Sequence, residues 1–326
     1  MNRLFIIAAV LLLWFSQAEA RNIRVLILDE VFQKIPPKDE VLENMGKLRG
    51  DLLVNSIRYA GNINVLKGKE SLYLINELPF EEYIKHVVSA EVGPNWDMEA
   101  LKVQAVISRT YALYHKKKNG DKGAYDLTSS VLHQVYKGSS SDARISYAVM
   151  NTEGEVLTYD GELIEAFYHS TSGGLTEDPA EVFGKSYPYL TPVESSCEIS
   201  PYWIWERRIP SDEIEKALDI KGITDIQIKT YTTTQRAKSV DIIQGDSILN
   251  VETKNLRKIL GWNRLPSTNF VIRRENDNFI FEGKGYGHGV GLCQWSALEM
   301  SRKGMTYRQI LEYFYPGTKI EKYEDR

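Results

Sequence analysis

Cysteine is scarce in this chain, and its scarcity excludes two classes of protein. The 326 residues contain only Cys197 and Cys293. A small scaffold held together by disulfides needs more cysteines than this, and so does a Cys-rich zinc site. Because no spacing rule connects the two residues, they could pair in an oxidising compartment or remain two buried thiols.

An excess of charge of one sign is also lacking. The 40 basic and 44 acidic residues give a formal net charge of −4. Proteins that bind nucleic acid concentrate lysine and arginine on one face, because phosphate contacts supply much of their affinity. The sequence therefore gives no reason to expect a nucleic-acid partner. No internal repeat is visible either.

A long apolar run occurs at the start of the chain, at residues 4–15. Arg3 precedes it and Ala18-Glu19-Ala20 follows it, which is the pattern of a secretory signal peptide. The run is too short for a comfortable membrane span. We expect cleavage after Ala20 and export to the cell envelope or periplasm; without cleavage, the run would form a marginal membrane anchor.

Residues 78–114 carry the most informative pattern, two helices separated by Gly93-Pro94. The apolar stripe of the first helix, which should run from about Pro79 to about Val92, reaches Glu91 as its next position. A carboxylate thus stands where a core residue is expected, in a last helical turn whose dipole disfavours negative charge. Burial and the dipole both favour the protonated form, so we predict a raised pKa for Glu91, as a general acid needs. A glutamate that pairs with a cation or caps a loop is the structural alternative.

The second helix should begin near Asn95 or Trp96 and run to the lysines at 116–118. Its residues are mostly apolar or small, which is typical of a buried helix, yet Lys102 and Arg109 share one face. Cations on a buried helix need an anionic or hydroxyl-rich partner. They could pair with structural carboxylates, or they could line a cleft that Glu91 faces.

Short alternating apolar runs predict an antiparallel sheet that leads into the first helix, with strands at residues 24–28, 56–59, 62–65 and 71–75. The charged, Pro-Pro-containing stretch 29–50 is expected to be irregular.

Further along the chain, a helix is predicted at 143–152, and a hairpin of 154–159 with 163–168 about Asp160-Gly161. A second lobe is predicted to contain helices at 212–218 and up to Gly261, and strands at 226–230, 239–243 and 248–251. A helix at 293–303 and a final helix capped by Thr306 and Gln309 complete the chain.

Two polar segments follow the helix pair. Residues 125–138, YDLTSSVLHQVYKG, show strand character at their end. His133, Gln134 and Tyr136 could offer hydrogen bonds and a ring to a sugar, although a solvated loop explains them equally well. Residues 169–174, HSTSGG, here called the HSTSGG loop, invite a nucleophile hypothesis with His169 activating Ser170 or Ser172.

We disfavour that hypothesis, because no G-x-S-x-G elbow frames the serine. A loop that lets a substrate approach its backbone fits the glycines better. A zinc site from His169 and Cys197 would have only two ligands.

Residues 281–294, FEGKGYGHGVGLCQ, here called the glycine-rich segment, have glycine at every second position from Gly283 to Gly291. In an extended chain this period leaves one face without side chains, so another backbone or a ligand should pack closely against it. His288 would lie on the opposite face together with Lys284 and Tyr286.

The ordered motifs resemble the SpoIID/LytB family, that is, the stage II sporulation protein D and the LytB amidase enhancer. They are LPFEEYIKHVVSAEVGPNW with EALKVQAVISRTYAL, then YDLTSSVLHQVYKG, AFYHSTSGGLTE and GKGYGHGVGLCQWSA. The resemblance extends from about Arg24 to Thr318, and the motifs in this order are far more specific than any one of them.

The resemblance implies a site. The family includes lytic transglycosylases that cut the glycan strands of peptidoglycan, and it places the catalytic glutamate on Glu91. Some sporulation members carry a zinc cluster near the SGG loop, but here that loop continues LTEDPAE, so we expect neither a metal nor another cofactor. Cys293 stands where many relatives have a small hydroxyl residue, which favours a buried thiol. The expected substrate-binding residues are Lys102, Arg109, Gln134, Tyr136, Tyr168, His169, Ser172, Gly173, Tyr286, His288 and Gln294.

The expected fold class is α+β, with antiparallel sheets, a central buried helix pair and two lobes flanking a glycan-binding cleft. The expected divisions are a signal peptide (1–20), a strand-rich N-terminal part (21–77), a core with the helix pair and the SGG loop (78–194), a second lobe (195–281), and a C-terminal part that completes the core (282–326).

Three functions remain open at this level. The first is a lytic transglycosylase that uses Glu91 alone on the MurNAc-GlcNAc strand and leaves 1,6-anhydroMurNAc ends. The second is a non-catalytic peptidoglycan-binding protein that stimulates an N-acetylmuramoyl-L-alanine amidase. The third is a hydrolase in which Glu99 or Glu177 serves as a second acid.

Overall fold

The computed structural model describes residues 22–28, 34–37, 40–119, 123–130, 133–139 and 142–323. The expected signal peptide at 1–20 lies outside them. The chain has an α+β fold, as predicted, with helices set among mostly antiparallel strands. Its contacts divide it into two units: unit 1 runs up to Glu165 and resumes at Ile320, and unit 2 is Ala166–Lys319.

A five-stranded sheet opens unit 1, in the order β2-β5-β6-β1-β7. All its neighbours are antiparallel except β1 and β7. A separate hairpin joins β3 and β4. As predicted, the sheet leads directly into the first helix, because β6 ends at the residue before that helix begins. The strands are β1 (Asn22–Leu26), β2 (Glu43–Arg49), β3 (Leu52–Val54), β4 (Ile57–Tyr59), β5 (Asn62–Lys67), β6 (Leu72–Pro79) and β7 (Leu127–Thr128).

Two predictions about this region are wrong. Strand β2 lies within the stretch expected to be irregular; all of its side chains are exposed, so it has no apolar alternation to detect. Backbone pairing with β5, from Glu43 opposite Lys67 to Arg49 opposite Asn62, forms the strand instead. The strand in YDLTSSVLHQVYKG lies near its beginning, at β7, and is formed by pairing with β1 rather than by the apolar pattern at its end.

The helix pair forms close to its predicted bounds, as α1 (Phe80–Glu91) and α2 (Met98–Asn119), and α3 (Ala143–Asn151) packs against both. The predicted stripe of α1 is buried. The predicted hairpin forms as β8 (Glu155–Tyr159) and β9 (Glu162–Leu163), with φ of 50° at Asp160 and 78° at Gly161. Positive φ at both positions is typical of a type I′ turn.

Unit 2 contains two three-stranded antiparallel sheets, β13-β18-β17 and β14-β15-β16, which share one apolar core. The helices and strands expected in the second lobe are all present. The elements are β10 (Tyr168–His169), β11 (Gly174–Leu175), α4 (Pro179–Phe183), β12 (Glu194–Ser195), β13 (Trp205–Pro210), α5 (Ser211–Leu218), β14 (Asp225–Tyr231), β15 (Ala237–Gln244), β16 (Ser247–Glu252), α6 (Thr253–Leu260), β17 (Phe270–Glu275), β18 (Asn278–Gly283), β19 (Leu292–Cys293), α7 (Gln294–Arg302) and α8 (Tyr307–Phe314). The chain then returns to unit 1, where β20 (Lys319–Lys322) pairs with β8.

The glycine-rich segment is not the extended strand that its period predicts. Strand β18 ends at Gly283, and the four glycines that follow have φ between +72° and +114°, in the left-handed region. The expected close packing is confirmed. A Cβ on Gly285 would lie 2.7 Å from the carbonyl oxygen of Thr171, and one on Gly291 would lie 2.0 Å from that of Phe167. The segment therefore packs against the backbone around the HSTSGG loop.

This packing predicts that Gly291→Ala destabilises unit 2 far more than Gly245→Ala. Both glycines have positive φ, 72° and 59°, but a Cβ at Gly245 meets nothing within 4 Å. Gly245→Ala should cost about 1 kcal/mol of unfolding free energy through backbone strain, and Gly291→Ala at least about 3 kcal/mol more, because a backbone carbonyl must move. Urea unfolding of both variants measures the difference; equal losses would contradict the packing described.

Candidate functional site

Glu91 is the last residue of α1, and its side chain is half-buried. Its Oε1 accepts a hydrogen bond from the backbone N–H of Val135 at 2.9 Å. The carboxyl group is thus held against the YDLTSSVLHQVYKG segment instead of extending into bulk solvent. An amide donor stabilises an ionised carboxylate. The raised pKa expected for Glu91 stays a prediction.

Two buried tyrosines interact electrostatically with this carboxylate. Burial raises the pKa of Tyr83 well above its usual value, and the charges of Tyr136 and Glu91 add to the shift. Burial likewise raises the pKa of Tyr111, with smaller contributions from Glu165 and Glu91. Both phenols are neutral near Glu91. Neither tyrosine was predicted as a site residue, although Tyr83 lies on the same helical stripe as Glu91, two steps of four residues earlier.

Lys102 forms an ion pair within its own helix. Its Nζ lies 2.7 Å from Oε1 of Glu99, and the two side chains are 20% and 30% exposed. Lys102 thus pairs with a carboxylate, which was the structural alternative to lining a cleft. Its side chain nevertheless stays partly accessible. Its role toward a substrate stays a prediction.

Arg109 has a structural role in unit 1, and its contact with substrate stays a prediction. Its side chain is 1% exposed. Nε and one terminal nitrogen each donate to a carboxylate oxygen of Glu81 at 2.8 Å. The remaining donors reach the carbonyl oxygens of Glu155 at 3.0 Å and Val149 at 3.4 Å. Substrate contact would require this buried group to leave these bonds, at a cost that a surface cation would not have.

Gln134 and Tyr136 are also internal, and their contact with a sugar stays a prediction. Gln134 is 1% and Tyr136 is 3% exposed. Gln134 accepts from the Tyr83 hydroxyl at 3.1 Å, and Tyr136 donates to Asn76 at 2.5 Å. In the sequence, a polar residue of a loop-like segment looks like a surface residue, because the buried partner that it hydrogen-bonds in the fold lies far away along the chain.

The HSTSGG loop and its neighbours bring several predicted residues together in unit 2. Strand β10 pairs in parallel with β19, which sets His169 opposite Cys293. His169 is 4% exposed, Ser172 is fully buried and Gln294 is 6% exposed. Burial closes these side chains to a glycan in the structure described, and their contact with substrate stays a prediction.

The nucleophile hypothesis for this loop finds no support in its hydrogen bonds. His169 directs Nδ1 at the carbonyl oxygen of Val290, 3.1 Å away. Ser172 donates its hydroxyl to the carbonyl oxygen of Ser195 at 3.1 Å. The two side chains engage other groups, so neither activates the other.

Four predicted residues of unit 2 are at least partly accessible: Tyr168, Gly173, Tyr286 and His288. The Tyr286 hydroxyl donates to Asn263 Oδ1 at 2.8 Å. His288 accepts from the Val290 N–H at 3.0 Å. Burial, followed by the charge of Arg257, lowers the pKa of His288 to about 4. At neutral pH this imidazole is uncharged and can offer hydrogen bonds only.

Glu177, considered as a second acid, is held in a buried network of unit 2. It is 2% exposed. One carboxylate oxygen accepts from Thr232 at 2.7 Å and lies 3.6 Å from Nε of Arg236, and the other accepts from the N–H of Asp178 at 2.7 Å. These bonds account for the carboxylate as a structural group.

Neither a metal site nor a membrane span emerges from the described ranges. No three His, Cys, Asp or Glu side chains within them come together in a way that could hold a metal ion. Among the same residues, every helix is too short or too polar to cross a bilayer.

Comparison with known proteins gives two family matches. Residues 68–159, which include α1, α2 and α3, match a family model described as stage II sporulation protein. Residues 196–291 match a model described only as a domain of unknown function.

Curated relatives extend the similarity to most of the chain. An uncharacterised protein of Brachyspira hyodysenteriae is 33% identical over 279 residues, 83% of this chain and 74% of the relative. Stage II sporulation protein D of Bacillus subtilis is 30% identical over 267 residues, 76% of each chain. The amidase enhancer of B. subtilis is 28% identical over 293 residues, 74% of this chain, but the match spans only 40% of that protein.

The role assigned to Arg109 predicts a loss of stability when its pairing is broken. Arg109→Met should lower the unfolding free energy by about 3–5 kcal/mol, because Glu81 loses its buried partner and two carbonyl oxygens lose their donors. Lys85→Met, which removes a half-buried cation paired with Glu82 on α1, is the matched control and should cost about 1 kcal/mol or less. Urea unfolding measures both, and similar values would contradict the structural role.

The buried imidazole of His115 should make the stability of unit 1 sensitive to acid. Its ring packs on Tyr111 at 4.3 Å and His133 at 5.3 Å, and its Nε2 lies 3.6 Å from Glu165. Burial, with the charges of His133 and Lys118, lowers the pKa of His115 to about 3 from its ordinary value of 6.5. The unfolded chain therefore binds the extra proton between these values, so stability is complete above pH 6.5 and falls as the pH drops toward 3.

Replacing His115 by phenylalanine should remove this acid sensitivity. Over that window the wild type should lose up to about 1.4 kcal/mol per pH unit more than His115→Phe, which keeps the ring but cannot take up a proton. Urea unfolding from pH 7.5 to 4 measures the two slopes. Parallel slopes would show that His115 does not titrate as its burial requires.

Proposed function

This chain belongs to the stage II sporulation protein D family, and from that premise we propose that it cuts peptidoglycan glycan strands as a lytic transglycosylase. Glu91 is its single acid and base. The observation that carries the proposal is the environment of this carboxyl group, which is half-buried at the end of α1 and held by the Val135 amide. A cell-wall function also agrees with the names of the relatives.

The reaction needs one carboxyl group in two protonation states. Protonated Glu91 donates its proton to the glycosidic oxygen between N-acetylmuramic acid and N-acetylglucosamine, and the bond to the anomeric carbon breaks. The carboxylate then accepts the proton of the muramic acid C6 hydroxyl, whose oxygen attacks the anomeric carbon. The product carries a 1,6-anhydro ring. Because the attacking oxygen belongs to the sugar itself, no second carboxylate is required to activate water or to act as nucleophile.

The residues around Glu91 support this role in two ways. The Val135 N–H fixes one carboxyl oxygen, which orients the group before a substrate arrives. Tyr83 and Tyr111 are buried, neutral phenols that interact with its charge. Such rings exclude water, so they strengthen electrostatic effects at the reacting bond.

Tyr168, Gly173, Tyr286 and His288 of unit 2 are proposed substrate contacts, because they are the predicted residues of this unit that are not buried. Lys102 remains a proposed contact in unit 1. We also propose that residues 1–20 direct export to the envelope, where the substrate is found.

A second candidate function is stimulation of a cell-wall amidase without glycan cleavage. It rests on the relative named amidase enhancer, and the match covers 40% of that protein's length. Purified protein would then release nothing from sacculi but would accelerate an added N-acetylmuramoyl-L-alanine amidase.

A hydrolase is the weaker alternative, because Glu177 is buried in its network with Arg236 and Thr232. A hydrolase would release reducing ends.

The proposal predicts that Glu91→Gln abolishes cleavage. The nearly isosteric amide cannot donate a proton as an acid, so the release of anhydro-muropeptides should fall by about 10²–10⁴-fold. Mass spectrometry of sacculus digests measures anhydro and reducing ends separately. Binding to sacculi, measured by co-sedimentation, should persist.

Glu82→Gln is the matched control, because Glu82 lies on the same helix and pairs with Lys85 at 2.7 Å. It should retain wild-type cleavage. Anhydro products from Glu91→Gln at the wild-type rate would exclude Glu91 as the acid. Absence of any product from the wild type, together with a faster added amidase, would favour the enhancer function instead.

A further inference from the structure

Two thiols of unit 2 contact the same serine of the HSTSGG loop. The backbone N–H of Ser172 donates to Sγ of Cys293 at 3.3 Å, and the Ser172 hydroxyl lies 3.3 Å from Sγ of Cys197. The two cysteines are far apart in sequence, yet each sulfur touches a different atom of one residue. Each thiol also shifts the pKa of the other.

Backbone pairing holds the HSTSGG loop, the segment that contains Cys197 and strand β19 next to one another. Cys293 lies in β19, which pairs with β10 at the start of the loop. Cys197 follows β12, which pairs with β11 at the end of the loop. Arg236 adds a further bond by donating to the carbonyl oxygen of Ser172 at 2.6 Å. The closeness of the sulfurs is thus a product of paired strands on both sides of Ser172.

We propose that Cys197 and Cys293 are a disulfide-forming pair, which closes as the chain folds under oxidising conditions and ties the segment after β12 to β19. The structure describes the reduced form, in which both cysteines are free. This inference is independent of the proposed glycan cleavage, since no residue of unit 1 enters it.

The bond can form by exchange with a small-molecule disulfide such as oxidised glutathione. The thiolate of one cysteine attacks a glutathione sulfur, and one glutathione thiolate leaves. The second cysteine then loses its proton and attacks the protein sulfur of the mixed disulfide, and the second glutathione leaves. Two protein thiols are oxidised to one disulfide, and one glutathione disulfide is reduced to two thiols.

The two thiols differ in pKa, and this difference predicts which cysteine attacks first. The hydrogen bond from Cys293 lowers the pKa of Cys197 to about 6, whereas burial raises the pKa of Cys293 well above its usual value. The positive charge of Arg236 interacts with both thiolates. Cys197 is therefore the expected first nucleophile.

Burial determines when the bond forms. Both sulfurs belong to side chains that are fully buried. Exchange with an external disulfide needs access to the sulfur, so closure should occur before packing is complete or during local opening. Once closed, the bond should resist reductants until the protein is unfolded.

Refolding in a defined redox buffer tests the pair on the full chain. The reduced, urea-unfolded protein is diluted into a mixture of reduced and oxidised glutathione, and native secondary structure is checked by circular dichroism. Remaining thiols are then alkylated, and intact mass and peptide maps are recorded. We expect a loss of two hydrogen atoms, no alkylation of either cysteine, and one linked peptide pair that contains Cys197 and Cys293.

Stability gives a second measurement. Cross-linking across so long a loop should raise the melting temperature of the oxidised protein by about 5–10 °C over the reduced protein. The Cys197→Ser/Cys293→Ser variant is the control, and its melting temperature should be the same in both buffers.

The wild-type result decides the proposal even if the variant does not fold. Natively folded protein with two alkylatable thiols after oxidative refolding would overturn it. So would glutathione adducts or disulfide-linked dimers in place of the internal bond. The linked peptide pair, protected from dithiothreitol in buffer but not in urea, would establish it.

Discussion

The ion pair between Arg109 and Glu81 is the interaction on which the architecture of unit 1 depends. A fully buried guanidinium binds the first turn of α1, and its remaining N–H groups reach the carbonyl oxygens of Val149 at α3 and Glu155 at β8. One side chain of α2 therefore joins three neighbouring elements. A buried charge is tolerated only when its donors are satisfied, and here the partners are supplied by the elements that must stay together.

The same helix α1 is fixed at its other end by Glu91. Ten residues separate Glu81 from Glu91, about 15 Å along a helix, and the Val135 amide binds the second carboxylate as Arg109 binds the first. Arg109 neutralises the first acid with its guanidinium, and a backbone N–H fixes one oxygen of the second. The first carboxylate is a structural group of unit 1, and the second is the group to which we assign the proton transfer.

Predictions from the sequence succeeded where a periodic pattern and a local rule agreed. The apolar stripe before Gly93-Pro94 predicted α1 to within one residue at each end, and Asp160-Gly161 predicted the hairpin turn. They failed where pairing at a distance decided the structure. Strand β2 has exposed side chains and forms through β5. The glycines after Gly283 repeat with the period of a strand but have left-handed φ, because they follow the backbone around the HSTSGG loop.

By itself, the sequence determined the fold class, the helix pair, the family and the position of Glu91, because each follows from residue order and short-range geometry. Tertiary structure alone decided which polar residues are accessible. Arg109, Gln134, Tyr136, His169 and Ser172 look like site residues in a linear sequence, and all are buried. The physical reason is that a polar side chain can be buried only against a matched partner, and partners such as Glu81 for Arg109 or Asn76 for Tyr136 are distant in sequence and adjacent only after folding.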